Sequence, residues 1–514
     1  MVIGSDTTSQ HPLIARRVIA AKENGTKLIV IDPRKIQLER FSDLYLPIKP
    51  GTNVALLNGM MKVILDEGLE DKKFIEERTE GFSDFLEILK DYPLDRVADI
   101  TGVSQEKIRE AALMYAHASN GAILYAMGVT QHTTGTDNVL SVANLALLTG
   151  NLGKPGTGVN PLRGQNNVQG ACDMGCLPNV FPGYQPVSDQ EKREKIASIW
   201  GSSGLSSQPG MTLTEMTEAA LEGKLKSMYI VGENPILADP DLTHTEKALK
   251  NLEFLVVQDI FMTETARLAQ VVLPATSFAE KEGTLTNTER RVQMIRKAIN
   301  PPGEARPDSE IICRIAGLMG KADSFSFSSV EEIFEEIRKV TPQYGGMSYQ
   351  RINTPEALHW PCPDSEHPGT PILHTKKFTR GLGKFHPVSF KEPPEMPDEE
   401  FSYILTTNRL MFQWHTGSMT RRSPDLESEA PEALVEINDQ DADELGINNR
   451  DWVEVSSRRG KIKIKADVTD RIRRGIVSIP FHYAEAAANI LTNPSFDPVA
   501  KIPGYKVCAV KITR

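Results

Sequence analysis

The stretch Lys27-Leu28-Ile29-Val30-Ile31-Asp32-Pro33-Arg34 decides the fold class. Its apolar residues run without alternation, the pattern of a strand buried on both faces in a parallel sheet. Pro33 has no amide hydrogen to give a neighbouring strand, so the ladder ends there. Asp32 and Arg34 are left at the carboxyl edge, where open α/β sheets bind nucleotides, and an acidic residue in that place accepts a hydrogen bond from ribose or base. Upstream, residues 11–24 carry apolar side chains at helical spacing, and Val2-Ile3 ends at Gly4. Strand, helix, strand is half of a doubly wound sheet. Only Met1 precedes Val2, so this first strand is expected to leave a ragged, exposed sheet edge.

Downstream, helical spacing recurs over residues 53–67, 72–77, 82–91, 94–101 and 104–118, the last opening on a Ser104 cap. A strand over residues 122–125 ends at Met127-Gly128-Val129-Thr130-Gln131, and a helix follows over 137–148. Residues 150–186 are rich in Gly, Asn and Pro and lack periodicity; irregular segments of that length in compact domains tend to be functional. A second α/β region has strands over 227–231, 254–258 and 271–273, and the first two again end in polar residues. By analogy, the two regions present their carboxyl edges to a common ligand. Residues 361–399 shift to Pro, His, Lys and Gly, as in a linker or wrapping segment. Strand patterns then recur over 403–407, 433–437, 452–457, 461–468 and 475–479, with Arg459-Gly460 as a hairpin turn.

The expected organisation is thus α/β, with two doubly wound nucleotide-binding-like domains and a β-barrel after them. The boundaries are a first dinucleotide-binding domain over residues 1–165, a second over 166–360, a linker over 361–399 and a barrel over 400–514. A chain of 514 residues is well beyond the size of one hydrophobic core.

Composition excludes some classes of function. Lys plus Arg number 58 against 68 Asp plus Glu, which disfavours a general nucleic-acid surface. No apolar run approaches the roughly 20 residues that span a bilayer, and the start lacks an export signal. Five cysteines, an odd number, disfavour a disulfide framework and suit a reducing cytoplasm. Cys172 and Cys176 lie four apart and the others are isolated, so the spacing of an iron–sulfur site is absent. Cys313 and Cys508, in apolar runs, read as small core residues.

No GxGxxG follows a strand, and neither a GxxxxGK[ST] loop nor an HExxH site is present. An oxidoreductase without these motifs uses a cofactor held by dispersed loop contacts. Arg163 lies in a polar, irregular segment with Gln165, Asn166, Asn167 and Gln169, residues suited to orienting a small anion; a guanidinium holds a carboxylate bidentately and stays charged. Taken alone, an arginine in such a loop is more often a surface residue.

The whole chain changes that balance. Residues 27–35, Gly128-Val129-Thr130-Gln131, the run from Leu147 to Gly156, the run Arg163-Gly164-Gln165-Asn166-Asn167-Val168-Gln169-Gly170-Ala171-Cys172-Asp173-Met174-Gly175, and Val257 to Thr265 resemble, in the same order, catalytic subunits of formate dehydrogenases in the molybdopterin oxidoreductase superfamily. The Asp-Pro-Arg and Thr-Gly-Asn segments occur across that superfamily, whereas the Arg163 run is specific to formate dehydrogenases. The resemblance implies molybdenum or tungsten held by two molybdopterin guanine dinucleotides, and a barrel of the double-psi type. It implies that Asp32, Arg34, Gly51, Met127 and Gln131 contact one dinucleotide and that Gly232, Asn234, Gln258 and Asp259 serve from the second region. The barrel would cover both pterins through Arg409, His415, Thr416, Gly417, Ser418, His482, Asn489, Tyr505 and Lys506. For Arg409, His415 and Lys506 taken singly, solvated surface is the commoner role. Arg163 matches the formate-orienting arginine, with His132 and Gln165 as supporting or structural groups.

Family members begin with a cysteine-rich iron–sulfur domain and a loop presenting a metal-ligating cysteine or selenocysteine. Neither is in these 514 residues, so no metal ligand is assigned here and the isolated chain is expected to be inactive. An in-frame UGA selenocysteine codon read as a stop would explain such a start. The expected partners are formate or carbon dioxide, the amino-terminal part of the same subunit, and iron–sulfur electron-transfer subunits, hydrogenase- or NAD-linked. The alternatives are another superfamily oxidoreductase such as a nitrate reductase, or a non-catalytic cofactor-binding or assembly protein.

Overall fold

The computed structural model describes residues 1–355 and 357–514 and divides into two compact units. One comprises Met1–Leu162, Pro235–Thr245 and His374–Arg514; the other comprises Arg163–Asn234 and Glu246–Leu373.

The first unit contains a five-stranded sheet of β1 (Val2–Ile3), β2 (Ile29–Ile31), β3 (Leu44–Leu46), β4 (Ala122–Tyr125) and β5 (Gly158–Pro161), in the order β3-β2-β1-β4-β5. All pairs are parallel. The exposed edge expected at Val2-Ile3 is not there: β1 is the central strand, Val2 standing between Val30 and Leu124 and Ile3 between Ile31 and Tyr125. Two residues suffice because both neighbours accept their backbone groups and both faces are covered. Ile3, Ile29 and Ile31 enter the larger core of the unit, while Val2, Leu28 and Val30 pack with Val18 and Ile19 of the helix Pro12–Glu23. This is why the 27–31 run shows no alternation.

The larger core is closed by helices Asn53–Asp66, Leu94–Thr101, Gln105–Ala116 and Gly135–Leu148. Ser104 caps the third of these, its side chain accepting from the Lys107 amide at 3.4 Å. The later part of the Pro- and His-rich segment, from His374 onward, wraps this layer. Phe385 is fully buried and stacks on Phe85 at 4.9 Å, and the Asn144 amide both donates to the His386 carbonyl and accepts from its N–H, at 2.8 and 3.0 Å.

The second unit carries a parallel sheet of β6 (Ser227–Val231), β7 (Phe254–Asp259) and β8 (Val271–Pro274), in the order β8-β7-β6. An antiparallel sheet of Gly283–Thr286, Arg291–Ile295 and Leu358–His359 packs by a small core around Val292, Phe334, Tyr344 and Cys362. Cys313 is half-buried, less enclosed than the core position expected for it, because its helix Asp308–Leu318 buries only Ile311 and Ala316.

The first unit ends in a closed barrel of β9 (Tyr403–Asn408), β10 (Leu434–Asn438), β11 (Trp452–Ser456), β12 (Lys461–Thr469), β13 (Ile476–Pro480) and β14 (Cys508–Thr513), ordered β9-β13-β10-β12-β11-β14. The β11–β12 hairpin turns through Ser457–Gly460, as its Gly predicts, with the Ser457 amide on the Gly460 carbonyl at 2.9 Å. Strand β14, which no sequence pattern had singled out, pairs with β9 and β11 and closes the barrel. The observed class, α/β sheets with a barrel after them, is the one expected from the sequence.

Candidate functional site

In the first sheet the strand order reverses between β1 and β4, the place where doubly wound folds bind ligands beyond the strand ends. Two glycines sit there. The Gly4 amide bonds the Ile31 carbonyl at 2.9 Å, and the Gly128 amide bonds the Gly4 carbonyl at 3.0 Å. A Cβ on Gly128 would stand 2.6 Å from the Gly4 Cα, and Gly4 has φ +55°, so both positions require glycine. Their close approach lets the two strand-end loops line one cavity.

That cavity is bordered by Gly4, Asp6, Asp32, Arg34, Gly51, Met127, Gly128, Gln131, His132, Thr407, Asn408, Arg409 and Lys506, among others. Seven of the expected cofactor residues are therefore brought together: Asp32, Arg34, Gly51, Met127 and Gln131 from the sheet region, and Arg409 and Lys506 from the barrel. Gly51 has φ +87°, and a Cβ there would meet the Pro393 ring at 2.6 Å.

Asp32 accepts from the Arg34 amide at 3.0 Å, yet burial pushes its pKa up to about 6, against the lowering by Arg34. The Arg34 guanidinium is committed elsewhere. Its Nε and one terminal nitrogen donate to the two carboxylate oxygens of Glu436 on β10, at 2.7 and 2.8 Å. Arg409 is only 7% exposed and stands over the rings of Trp414 and Phe481, each 5.3 Å away, with no ion pair among the described residues. Burial lowers its pKa to about 10. Lys506 donates to the Thr407 carbonyl at 2.8 Å; burial, and then Arg409, bring its pKa down to about 7. Neither cation is on solvated surface. A cleft with two desolvated cations and strand-end backbone suits a phosphorylated ligand.

His132 is buried, with Nε2 2.9 Å from the Gly128 carbonyl, and burial lowers its pKa to about 4. It therefore holds the switch loop as a neutral imidazole.

The remaining barrel residues form two other groups. His482 is fully buried; its Nε2 accepts from the Leu410 amide at 2.9 Å, so its Nδ1 carries the hydrogen that goes to the His415 carbonyl. Gly417, φ +72°, leaves no space for a Cβ, which would stand 2.5 Å from the His482 carbonyl oxygen. Thr416 and Ser418 share a hydrogen bond of 2.8 Å. His415 lies edge-on to Phe481, its pKa lowered by burial to about 4. Asn489 and Tyr505 instead bind the helix Pro235–Ala238: Asn489 Nδ2 donates to the Leu237 and Ala238 carbonyls, at 3.1 and 3.0 Å, and the Tyr505 hydroxyl to that of Ala238 at 3.0 Å. The Asn489 Oδ1 is buried with no partner among the described residues.

In the second unit, Gly232, Asn234, Gln258 and Asp259 cluster at the carboxyl ends of β6 and β7. The Gly232 amide bonds the Gln258 carbonyl at 2.9 Å, and a side chain there would meet open space. Gln258 is fully buried between the Tyr229 hydroxyl and Asp308, and Asn234 is held by Glu264 and Thr265. Asp259 accepts from the Phe261 amide at 3.0 Å.

Arg163 is half-buried at the start of this unit. Its amide donates to Thr288 Oγ1 at 3.1 Å, and its Nε to Gln169 Oε1 at 3.2 Å. Asn167, φ +61°, accepts from the Thr286 amide at 2.9 Å, which fastens the loop to the antiparallel sheet. Gln165 is half-buried in the same loop.

Sequence reasoning passed over Asp6, Thr407 and Asn408 in the first cavity. The available signal was position: Asp6 follows the first strand at the switch point, and Thr407 and Asn408 end the barrel strand β9. Among the described residues no group of three or more His, Cys, Asp or Glu side chains is placed to hold a metal ion, and no helix is long and apolar enough to cross a membrane.

Comparison with known proteins matches residues 1–318 to the Molybdopterin oxidoreductase family and residues 403–509 to the Molydopterin dinucleotide binding domain. The chain is 55% identical to the F420-dependent formate dehydrogenase subunit alpha of Methanocaldococcus jannaschii, over 100% of this chain and 76% of that protein. It is 42% identical to formate dehydrogenase H of Escherichia coli strain K12, over 99% of this chain and 72% of that protein. The solved structure of acetylene hydratase from Pelobacter acetylenicus superposes on it with a TM-score of 0.76 at 20% identity, covering 100% of this chain and 77% of that one, a likeness of fold.

Proposed function

Because the chain belongs to the molybdopterin oxidoreductase family, we propose that it works in a formate dehydrogenase catalytic subunit, oxidising formate to carbon dioxide or running the reverse reaction. The observation that carries this reading is the full-chain likeness to formate dehydrogenase subunits, together with the fixed Arg163 loop.

The first cavity fits a pterin guanine dinucleotide: it has a strand crossover where Gly4 and Gly128 approach too closely for any Cβ, and two cations, Arg409 and Lys506, with no carboxylate ion pair among the described residues. In this reading Arg409 and Lys506 hold phosphate oxygens, and Asp32 and Gln131 bond ribose or base. Met127, Gly51 and the Gly4–Gly128 contact shape the wall. Arg34 acts from behind, by tying the sheet edge to the barrel through Glu436. Gly232, Asn234, Gln258 and Asp259 bind a second dinucleotide through backbone groups and the Asp259 carboxylate. His415, Thr416, Gly417, Ser418 and His482 cover a pterin, with Asn489 and Tyr505 fixing the helix beside them.

A molybdenum or tungsten centre carried by the two pterins supplies the two-electron redox change. Arg163 binds the formate carboxylate through its guanidinium and aims the C–H bond. Formate leaves as carbon dioxide, with one proton and two electrons passed on. The iron–sulfur cluster and the metal-ligating cysteine or selenocysteine are assigned to parts of the full-length protein outside these residues. Electrons go to a partner subunit, an F420-linked one by likeness to the archaeal relative. Five unpaired cysteines support a cytoplasmic setting.

The test is an anaerobic assay of the full-length, cofactor-loaded enzyme with formate and a redox dye, and in parallel with nitrate and a reduced dye. Formate-dependent dye reduction is expected. Nitrate reduction without formate oxidation would overturn the reading.

A further inference from the structure

Asp173 is 1% exposed and lies on the short helix Val168–Asp173, four residues beyond Gln169. A carboxylate buried this deeply needs donors on both oxygens. It has them. Its Oδ1 accepts from the Gln169 Nε2 at 2.9 Å and from the Tyr184 hydroxyl at 2.8 Å, and its Oδ2 accepts from the Tyr344 hydroxyl at 2.7 Å. Tyr344 is in turn 2.8 Å from Thr286 Oγ1 and packs in the core with Phe334, so the far end of the chain is anchored in rigid structure. Tyr184 also accepts from Gln169 Nε2, at 2.9 Å.

All three groups on Asp173 donate to it, so the NH2 end of the Gln169 amide is the end that faces the carboxyl group. The carbonyl end must then face the other way, and there it accepts from Arg163 Nε at 3.2 Å. We propose that Asp173 is a positioning residue which, through the Gln169 amide, fixes the direction of the Arg163 guanidinium. A neutral amide placed between Asp173 and Arg163 transmits the orientation from the one to the other. The inference rests on the reading of Arg163 as the formate-binding group.

The experiment uses the full-length, cofactor-loaded enzyme with Asp173→Asn, Gln169→Glu and Arg163→Lys, each assayed for formate KM and kcat, pterin content and melting temperature. Formate binding to the pre-reduced enzyme, which cannot turn over without an acceptor, is measured by calorimetry. Asp173→Asn offers donors as well as an acceptor and frees the amide to flip, so KM is expected to rise about tenfold, with kcat changing less. Gln169→Glu keeps the shape and the bond to Arg163 but places an anion on the guanidinium; it is expected to raise KM at least as much and to weaken formate binding, at unchanged pterin content. If Asp173→Asn is too unstable to purify, Gln169→Glu and Tyr184→Phe decide the matter. Wild-type KM in Gln169→Glu, or a fall in kcat alone, overturns the positioning role while Arg163→Lys still raises KM. Wild-type KM in Arg163→Lys overturns the formate reading itself.

Discussion

Arg34 and Glu436 are 402 positions apart and joined by two hydrogen bonds of 2.7 and 2.8 Å, which clamp the end of β2 to barrel strand β10. Both side chains are nearly enclosed, at 13% and 7% exposure. Removing one partner leaves a buried charge, so Glu436→Ala is expected to cost about 3–5 kcal/mol, read from the denaturant midpoint. Arg34→Met with Glu436→Leu is expected to cost less than either single change.

The same carboxylate sets a pH dependence. Burial pushes the pKa of Glu436 up, but Arg34 and Arg471 outweigh it and hold the group below its ordinary 4.5. A depressed folded-state value means that its contribution is present above pH 4.5 and is lost as the pH falls through the folded value. Melting temperature is expected to drop more steeply below pH 4.5 in the wild type than in Glu436→Gln.

Lys506, with its pKa near 7, loses its charge as the pH rises through neutrality, and with it the attraction for phosphate oxygens. Guanosine diphosphate binding to the cofactor-free chain, followed by calorimetry, is expected to weaken about tenfold between pH 6 and pH 8.5. Lys506→Met is expected to bind weakly at pH 6 and to show a flatter profile.

Gly128→Ala places a methyl group against the Gly4 backbone, 2.6 Å from its Cα, where nothing flexible can move aside. The expected result is a stability loss of about 1–3 kcal/mol together with reduced pterin content. Gly201→Ala is a control for left-handed strain alone: it has φ +61° and no atom within 4 Å of the added Cβ, so stability falls but pterin content does not.

Arg163→Lys retains the charge and loses the planar fork. Formate KM is expected to rise about ten- to hundredfold, with pterin and metal content unchanged.

Much of the fold was legible because hydrophobic period reports burial. Strands over 122–125 and 227–231 and the helix over 94–101 stand at the expected residues. The helices Gln190–Trp200 and Val330–Val340 went unread although Asp189 and Ser329 cap them; the first opens just after the irregular segment 150–186. Strand β14 was hidden in Cys508–Thr513, where the only noted signal was a core cysteine.

The sequence by itself determined the cofactor class and marked Arg163 as the candidate anion clamp, because Asp32-Pro33-Arg34 at a strand end and the Arg163 run are local patterns readable without a partner. Tertiary structure decided which residues meet. Only the fold puts β1 at the sheet centre, joins Gly4 to Gly128, turns Arg34 toward Glu436 and leaves Arg409 and Lys506 as the cations of the cavity. The reason is physical: a side chain's charge state and direction depend on burial and on partners hundreds of residues away, and neither is encoded in its near neighbours.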